Sequence, residues 1–443
     1  MKTGPQANII SWNQHQEELC ASAARISTTP GGAQELFEGA LGSEKNRPLI
    51  AKVLRSGHKS TLEHAVFTIA LCDVSVLAEQ FFIEHRLASF TVKSRRYVDF
   101  GSQGYYVPPE LDGESLAAYR RYMDALFHAY SLLLERGVPK EDARFLLPYA
   151  LHSNFYCTLN ARELAHLLRA MSRGNCELRD LAGQLRRQLE ELFPCLLPEL
   201  EDPAGEEAGG TQDAAAGEAV FLRRGEAGSA VLLGGPRDPL AVLCAAYRAS
   251  HPGVLELPAL DELLRTPRAR ELEQLVYTFQ ISGVTLSGIT HIVRHRMQSV
   301  IVPPIALTNR YILPPTLSGE AEALYTGALR EAHAAARALL EDPRLRPHSP
   351  YLAPSGSMLD VMTTLNAREL RHFIRLRTCN RAQWEIRDIA TGMLRQLRAS
   401  CPDLFGLLGP GCYLDGRCPE GAMTCGKREQ VAARFAGSLE DGQ

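Results

Sequence analysis

The sequence predicts an α+β protein made of two tandem repeats, and three pairs of matching segments support this. TLNAREL begins at Thr158 and occurs again at Thr364. ELRDLA at 177–182 matches EIRDIA at 385–390, and LCASAAR at 19–25 matches LCAAYRA at 243–249. The pairs keep the same order, with offsets between 206 residues (158 to 364) and 224 residues (19 to 243). Ordered similarity at this spacing indicates an internal duplication.

Each repeat shows the same succession of elements. EHAVFTIAL at 63–71 and QLVYTFQIS at 274–282 are mixed alternating and apolar, which predicts a strand in each repeat. Each strand is followed by a helix-like segment that ends at a His-Arg pair. LAAYRRYMDALFHAYSLLLERGVP places apolar residues every three or four positions and ends in Gly137 and Pro139, as an amphipathic helix does. Residues 366–397 predict a further helix. This mixture gives the α+β class, with a helix-rich second half in each repeat.

The segment between the repeats has a different composition. EDPAGEEAGGTQDAAAGEA at 201–219 is small and acidic and has no apolar periodicity. This composition is typical of a flexible linker. We therefore predict a first repeat at 1–200, a linker at 201–219, a second repeat at 220–410 and a cysteine-containing tail at 411–443.

Composition and charge narrow the class of protein. The chain has 443 residues, 45% of them hydrophobic, and a net charge of −3, so no overall basic field indicates a nucleic-acid partner. An RNA-directed role is a weak alternative because no aromatic-basic surface is visible. The start of the chain lacks a basic-then-apolar signal, and no apolar run approaches the roughly 20 residues of a membrane helix. The eleven scattered cysteines favour a soluble cytoplasmic protein with reduced thiols.

Two polar segments of the first repeat are candidate binding sites. In GHKSTLEHAVF, the side chains of His58, Ser60 and Glu63 could contact a ligand, or could equally satisfy a loop. In EHRLASFTVKSRRY, a hydroxyl and several cations crowd into one loop, as a phosphate site requires. The alternative interpretation of this second segment is a solvated basic face.

Two further basic segments belong to the second repeat. Arg294, His295 and Arg296 follow an apolar run and suit a second anionic group, or else a helix C-terminus that favours cations. NARELRHFIRLRTCNRAQWEIRD places several arginines on one helix, and any that are buried need an acid or a ligand for compensation. Trp384 is interpreted as a packing residue.

Cysteines gather near the C-terminus. Cys401, Cys412, Cys418 and Cys425 are separated by more residues than the short pairs usual at zinc sites. Free thiols are the favoured interpretation and a structural metal is the alternative. The sequence prediction is that the chain holds no metal.

Together these motifs resemble the flavin-dependent thymidylate synthases. In the first repeat the resemblance rests on GHKSTLEH, HRLASFTVKSRRY and ARFLLP at 143–148. In the second repeat it rests on RHR at 294–296 and on LNARELRHFIRLRTCNRAQWEI. It extends over nearly the whole chain, as two tandem family domains, and the motifs are specific as a set rather than singly.

The resemblance implies FAD as cofactor and reductive methylation of dUMP, or a related pyrimidine nucleotide, to dTMP. It implies methylenetetrahydrofolate and NADPH as co-substrates and no cysteine nucleophile. An arginine of the family favours the ionised uracil ring, which raises electron density at the carbon to be methylated. Family members are homotetramers with sites between subunits, so the expectation here is a homodimer that forms a pseudo-tetramer.

The resemblance also implies roles for individual residues. Arg377 is expected to be catalytic. The residues expected to bind substrate are Ser94, Arg95, Arg96, Arg144, His291 and Arg294. Those expected to bind cofactor are His58, Ser60, Glu63, Asn160, Arg162, Arg294, His295, Arg296, Asn366, Arg368 and His372.

The two repeats depart from the family pattern in complementary places. The first repeat has Glu84 for the first arginine of R-H-R, and its late arginine is either Arg169 or lost, with Met171 at the ungapped position. The second repeat aligns Thr308 with the loop serine, after an insertion, and Pro350 with the A-R-x-x-L-P arginine. This pattern predicts one type of composite site, with the reciprocal site inactive.

Two other departures favour a different interpretation. The family has an acidic residue where Val92 stands and a glutamine where His291 stands. They favour a catalytically degenerate family member that binds flavin or nucleotide as a regulatory or assembly partner. This alternative stays open beside the enzyme.

Overall fold

A computed structural model describes residues 4–201, 217–437 and 439, and these form two compact units. Unit 1 is Met1–Glu135, Leu146–Ala214 and Glu331–Ala353. Unit 2 is Arg136–Phe145, Ala215–Arg330 and Pro354–Gln443. Each unit therefore includes a short segment from the other repeat. Most of the predicted linker lies outside the described residues.

The first repeat contains four strands and eight helices. The strands are β1 (Gln6–Trp12), β2 (Val66–Ser75), β3 (Ser89–Val92) and β4 (His152–Asn160). The helices are α1 (Gln16–Arg25), α2 (Ala33–Glu38), α3 (Asn46–Arg55), α4 (Val76–Ile83), α5 (Gly113–Glu135), α6 (Lys140–Ala143), α7 (Ala161–Ser172) and α8 (Cys176–Leu192). Short 3₁₀ turns lie at Lys59–His64, Arg144–Leu146 and Pro194–Leu200.

The second repeat follows the same plan with additions at its end. Its strands are β5 (Val220–Phe221), β6 (Ser229–Gly234), β7 (Val276–Thr285), β8 (Gln298–Ile301), β9 (Arg310–Tyr311) and β10 (Met358–Asn366). Its helices are α9 (Pro239–Ser250), α10 (Leu260–Arg265), α11 (Leu286–Ile292), α12 (Gly319–Leu339), α13 (Ser349–Leu352), α14 (Ala367–Arg377), α15 (Trp384–Ser400), α16 (Pro402–Phe405), α17 (Gly411–Leu414) and α18 (Arg428–Ala436). Further 3₁₀ turns lie at Arg270–Gln274, Arg346–His348 and Gly421–Met423.

Each unit is built on a four-stranded antiparallel sheet. The strand orders are β1-β2-β4-β3 in unit 1 and β6-β7-β10-β8 in unit 2. Along β2 the side chains of Phe67, Ile69 and Leu71 alternate into the core, where they pack against helices α7 and α8. The two sheets repeat even in detail, since a threonine pair bridges the central strands at 3.0 Å in both. The α+β class with two tandem repeats is confirmed.

The strands and long helices lie close to their predicted positions, with one exception. The helix predicted over 366–397 is broken into α14 and α15 by residues 378–383. The break occurs because the Gln383 side chain accepts a hydrogen bond from the Ile386 N–H at 3.0 Å and caps a new helix. No helix in the described residues is long and apolar enough to cross a bilayer.

The exchanged segments are bound tightly into the units that receive them. In unit 1, Ala150 N–H donates to the Tyr351 carbonyl at 3.0 Å and Tyr149 N–H donates to the Ala353 carbonyl at 2.9 Å. In unit 2, Gly356 N–H donates to the Phe145 carbonyl at 2.8 Å. Trp384, predicted only to pack, also donates from its indole N–H to the Asp142 carboxylate at 2.9 Å.

A buried glutamate ties three elements together in each unit. Glu177, in the first turn of α8, accepts from the Ser75 N–H at 2.7 Å and from its hydroxyl at 2.6 Å. Glu385, in the first turn of α15, accepts from the Thr285 N–H at 2.6 Å and from its hydroxyl at 2.7 Å. Ser75 and Thr285 in turn cap α4 and α11. We call these contacts the glutamate clamps.

Both clamps have an electrostatic cost. Burial raises the pKa of Glu177 to about 7 and that of Glu385 to about 7, although the hydrogen bonds from Ser75 and Thr285 oppose the shift. A folded-state pKa above the unfolded value means that the folded state holds the extra proton. Burial of the two carboxyls therefore costs the fold least at low pH, where they are protonated, and the fold loses stability as pH rises from about 4.5 to about 7.

The clamps predict a pH dependence that a single substitution removes. Between about pH 5 and about pH 8, the thermal midpoint of the native chain should fall more than that of Glu385→Gln, because glutamine does not titrate. Thermal unfolding followed by circular dichroism measures both midpoints. Glu331→Gln, at an exposed position on α12, is the matched control and should fall as much as the native chain. Equal falls in the native chain and Glu385→Gln would refute the assignment.

Candidate functional site

A chain of three side chains in unit 2 runs along α14, from Glu369 in its first turn through His295 to Arg377 in its last turn. Arg377 donates from Nε to His295 Nε2 at 3.0 Å and from Nη2 to the His291 carbonyl at 3.0 Å. On its other side, His295 Nδ1 lies 2.8 Å from a Glu369 carboxylate oxygen. The imidazole is 4% exposed. The arrangement fixes the plane of the Arg377 guanidinium, the group predicted to be catalytic.

The donors in this chain define the state of His295. Because Arg377 Nε–H donates to Nε2, the proton of the neutral ring sits on Nδ1 and points at Glu369. Burial lowers the pKa of His295; the Glu369 hydrogen bond opposes this shift and the Arg377 charge adds to it. A neutral imidazole is the form that the chain requires, since a protonated ring has no acceptor for Arg377.

Glu369 was not among the predicted site residues. It stands in the repeated TLNAREL motif, three residues after the helix cap Asn366, whose side chain accepts from the Glu369 N–H at 2.9 Å. The signal for Glu369 in the sequence is the repeated motif itself, which locates the repeat but does not indicate the chemistry of this residue. Glu163 holds the same place in the first repeat and lies instead within 3.9 Å of His166.

Two cavities open beside this chain in unit 2. One, of about 300 Å³, is lined by Met297, Asn366, Arg368 and His372 among others, and so brings together three predicted cofactor residues. The other, of about 590 Å³, shares Arg371 and His372 with the first and extends to Arg375, Tyr413 and Asp415. Of the R-H-R residues, Arg294 and Arg296 are exposed and His295 is buried.

Arg144, a predicted substrate residue of the first repeat, belongs to unit 2. Its guanidinium is buried and donates from Nε to the Glu141 carbonyl at 3.0 Å. Its charge acts on Glu385 and opposes the rise of that carboxyl's pKa. The first repeat thus contributes a buried cation to the unit that carries Arg294, His295, Arg296 and Arg377.

The equivalent positions of the first repeat lack this chain. Met171, which occupies the place of Arg377 along the repeated helix, is fully buried in the core of unit 1. Arg169 donates to the Glu199 carbonyl at 2.6 Å. His85 faces the Phe81 carbonyl at 3.0 Å, and Glu84 accepts from Gln80 at 2.6 Å. Of the two alternatives for a late arginine, the structure thus places Met171 in the corresponding position.

The serine-arginine loop of the first repeat begins a turn after β3. The Ser94 hydroxyl accepts from the Arg96 N–H at 3.3 Å, and the Arg96 guanidinium lies 5.5 Å from the Tyr97 ring. Arg95 is buried and pairs with Glu79 through two N–H donors at 2.6 and 3.1 Å. This ion pair satisfies the Arg95 charge inside the fold, so its predicted contact with substrate stays a prediction.

In the second repeat, the loop that corresponds to the serine-arginine loop aligns with the first repeat in a different register from the predicted one. Backbone bridges pair Tyr105 with Leu151 and Tyr311 with Ser357, at a common offset of 206 (105 to 311). Before the loop, Ser89 and Ser299 face Thr158 and Thr364, at an offset of 210 (89 to 299). The second repeat is therefore four residues shorter here.

This shortening corrects two expectations. The predicted insertion is wrong, because the loop carries a deletion. The alignment of Thr308 with Ser94 is also wrong, because Arg310–Tyr311 corresponds to Gly104–Tyr105 and forms β9 beside β5. The sequence VPPIAL at 302–307 holds no serine or arginine, so the second repeat has lost the loop chemistry itself.

The remaining predicted site residues lie either at the first 3₁₀ turn and its partners or at helix N-caps. His58 and Ser60 are exposed at the 3₁₀ turn, and Glu63 pairs with Arg162 at 2.6 Å in unit 1. The matching pair in unit 2 joins Glu273 and Arg368. Asn160 and Asn366 cap α7 and α14, so their predicted contact with cofactor stays a prediction beside this structural role.

Comparison with known families agrees with this division. The family model described as "Thymidylate synthase complementing protein" matches residues 8–195 and 237–403, which is most of the chain and one segment in each repeat. The chain belongs to this family, that of the flavin-dependent thymidylate synthases. The two matched segments correspond to two tandem family domains.

Individual relatives align with this chain over a segment about as long as one repeat. The flavin-dependent thymidylate synthase of Geobacter sulfurreducens is 35% identical over 188 residues, covering 40% of this chain and 79% of the relative. That of Sulfurisphaera tokodaii is 36% identical over 192 residues, covering 42% of this chain and 74% of the relative.

Solved structures similar to the chain include two that contain a bound nucleotide. The UMP/dUMP methylase PolB from Streptomyces cacaoi, bound with 5-Br dUMP, has a TM-score of 0.38 and 24% identity over 45% of this chain and 95% of its own. Thymidylate Synthase X from Helicobacter pylori, with FAD and dUMP, has a TM-score of 0.37 and 24% identity over 45% of this chain and 100% of its own.

The hydrogen-bonded chain predicts one protonation state and tautomer for His295. Long-range ¹H–¹⁵N spectra of histidine-labelled protein at about pH 7 should show His295 neutral with its proton on Nδ1. The signal is assigned by its disappearance in His295→Gln. In Glu369→Gln the preference for this tautomer should weaken, because the acceptor charge is lost. An imidazolium, or a proton on Nε2, would contradict the geometry.

Proposed function

We propose that the chain is a flavin-dependent thymidylate synthase that reductively methylates dUMP to dTMP, using methylenetetrahydrofolate and NADPH, at one type of composite site. The observation that carries the proposal is the ordered Arg377–His295–Glu369 chain in the second repeat, beside Met171 at the same place in the first. Membership of the family supports the reaction class. The named relatives support dependence on a flavin.

The cavities of unit 2 fit the group that the family requires. Arg368, Asn366 and His372 bring a guanidinium, an amide and an imidazole to the 300 Å³ cavity, which the carboxylates of Glu273 and Glu369 also line, and Glu273 pairs with Arg368. Such donors suit phosphate oxygens, and the adjoining 590 Å³ adds room for a dinucleotide. We propose that these residues, with Arg294 and Arg296, hold FAD. When bound, FAD supplies the electron transfer that the reductive methylation needs.

Arg377 would act on the uracil ring. Its guanidinium is held by His295 and the His291 carbonyl before any ligand arrives, so orientation costs nothing at the moment of reaction. A fixed cation beside the ring stabilises the negative charge that develops there and raises electron density at the methylated carbon. Glu369 and His295 are positioning residues that act through Arg377.

The first repeat would supply the nucleotide's phosphate site. We propose that Ser94 and Arg96 bind the phosphate and that Arg144 contributes a further cation to the same composite site. The presence of Arg144 within unit 2 supports a site built from both repeats. The reciprocal site would combine Met171 with a loop that lacks serine and arginine, and we propose that it is inactive.

We also propose that two chains assemble as a homodimer that reproduces the family's four-domain arrangement. The match of two family domains within one chain supports this count. Light scattering that gave the mass of a single chain would contradict it.

The alternative is a family member that binds flavin or nucleotide without turnover. What favours it is the loss of key groups in both repeats, namely Met171 in the first and the shortened loop in the second. A folded, flavin-loaded chain with no ring chemistry would support this alternative.

The decisive assay measures tritium release from dUMP labelled at ring carbon 5, with FAD, NADPH and methylenetetrahydrofolate supplied. Arg377→Ala should reduce release by about 100-fold or more, the usual effect of removing one preorganised charge-stabilising donor. Arg169→Ala is the matched control from the first repeat and should retain native activity, because Arg169 is engaged with the Glu199 carbonyl. Equal losses from both would refute the composite-site model.

The same assay tests the first-repeat half of the site. Ser94→Ala and Arg96→Ala should raise KM for dUMP by about tenfold, since each removes a hydrogen bond to a charged group. Thr308→Ala and Arg310→Ala, in the unrelated register of the second repeat, are the controls and should leave KM unchanged. If KM rose only in Thr308→Ala and Arg310→Ala, the phosphate would bind to the loop of the second repeat instead.

A further inference from the structure

The proposed function uses no cysteine, yet the C-terminal tail carries several of them back to the end of α14. Arg375 on α14 donates to the Asp415 carboxylate at 3.0 Å. Arg428 donates to the Gly416 carbonyl at 2.8 Å, which closes the tail on itself. A Cβ added at Gly411 would stand 3.0 Å from the Pro419 ring, so the residues beside Cys412 and Cys418 are in close contact.

This packing gathers four thiols at one place in unit 2. Cys379 follows α14 directly, and the neighbouring Asn380 amide lies 3.8 Å from the Cys425 sulfur. The Cys379 thiol lies near those of Cys418 and Cys425, and the Cys412 thiol lies near those of the other three. All four are free cysteines in the structure.

The cluster differs from the one suggested by sequence. The sequence groups Cys401 with the tail cysteines, but Cys401 is buried at the C-cap of α15. Cys379 takes its place. Sequence distance hid this residue, because 32 residues separate Cys379 from Cys412.

The distances between the cysteine sulfurs distinguish a zinc ion from an iron–sulfur cluster as the metal that they could bind. Five residues lie between Cys412 and Cys418 and six between Cys418 and Cys425, without the short C-x₂₋₄-C pair of zinc sites. With bonds of about 2.3 Å, a tetrahedral zinc would hold its sulfurs about 3.8 Å apart. In the described residues, the ligand atoms of Glu110, Cys176 and His348 in unit 1 all lie within 4.8 Å of one another. The four thiols of unit 2 do not meet this distance as a group. Sulfurs that stand farther apart than the ligands of a single zinc ion suit a cluster in which each thiolate binds a different iron.

We propose that Cys379, Cys412, Cys418 and Cys425 bind a [4Fe–4S] cluster. The ligand set is the four thiolates that such clusters require. Donors to the sulfurs are already placed, since the Arg381 backbone N–H donates to the Cys379 thiol and the Asn380 amide lies beside Cys425. Hydrogen bonds of this kind tune the potential of iron–sulfur clusters.

The site lies next to the proposed catalytic machinery. Cys379 is two residues after Arg377, in the segment that separates α14 from α15. The cluster ties this segment to the C-terminal tail and so restrains the backbone from which Arg377 projects. Its role is structural, and no electron transfer through it is invoked.

The test counts metal, because flavin absorption overlaps that of a cluster. The full chain is purified without oxygen, reconstituted with ferrous iron and sulfide, and desalted. Iron and acid-labile sulfide should each reach about four per chain, and ⁵⁷Fe Mössbauer spectra should show the coupled pairs of a cubane cluster. Serine substitution of any one of the four cysteines should lower iron to less than half of the native content.

Controls keep the result independent of folding and of catalysis. Cys244→Ser and Cys401→Ser should retain the native iron content, and circular dichroism should show that every variant is folded. Less than one iron per chain in the folded native protein, one tightly bound zinc, or native iron content in Cys379→Ser would each overturn the proposal. Because metal is counted directly, the outcome does not depend on whether the chain methylates dUMP.

Discussion

The glutamate clamps are the constraint on which each unit depends. One buried carboxylate at the start of the last long helix holds both the end of the central strand and the cap of the helix that follows it. In unit 2 this contact anchors the first turn of α15, the helix that Gln383 caps directly after the break from α14. The R-H-R segment lies at the far end of α11, and Arg377 lies at the last turn of α14. The positions of both parts of the site therefore depend on a single carboxylate, that of Glu385.

The same scaffold carries different chemistry in its two copies. In the first repeat the position at the end of the helix holds Met171, which adds apolar surface to the core. In the second repeat it holds Arg377, which needs His295 and Glu369 to compensate a partly buried charge. The sheets, caps and clamps are common to both. The two copies therefore share this scaffold and differ in the side chain at the end of the helix.

Sequence patterns predicted the parts of the fold that depend on local order. The duplicated motifs, the alternating strands and the R-H-R and late-arginine segments are continuous in sequence, and their positions follow from period and spacing. The register of the second loop, the role of Glu369 and the approach of Cys379 to the tail depend on contacts between distant segments. A four-residue deletion beside a chance Arg-Tyr pair gave a plausible but wrong alignment. Only backbone pairing could correct it.

The exchange of segments between the units has a consequence for synthesis. Unit 1 is not complete without Glu331–Ala353, where Tyr351 donates to Glu177 at 3.0 Å. Domains at the N-terminal end of a chain generally fold first as they leave the ribosome. Here the N-terminal repeat must wait until most of the C-terminal repeat has been translated before its own unit can close. The last contacts of unit 1 therefore form late in synthesis, although its hydrophobic core lies entirely within residues 7–196.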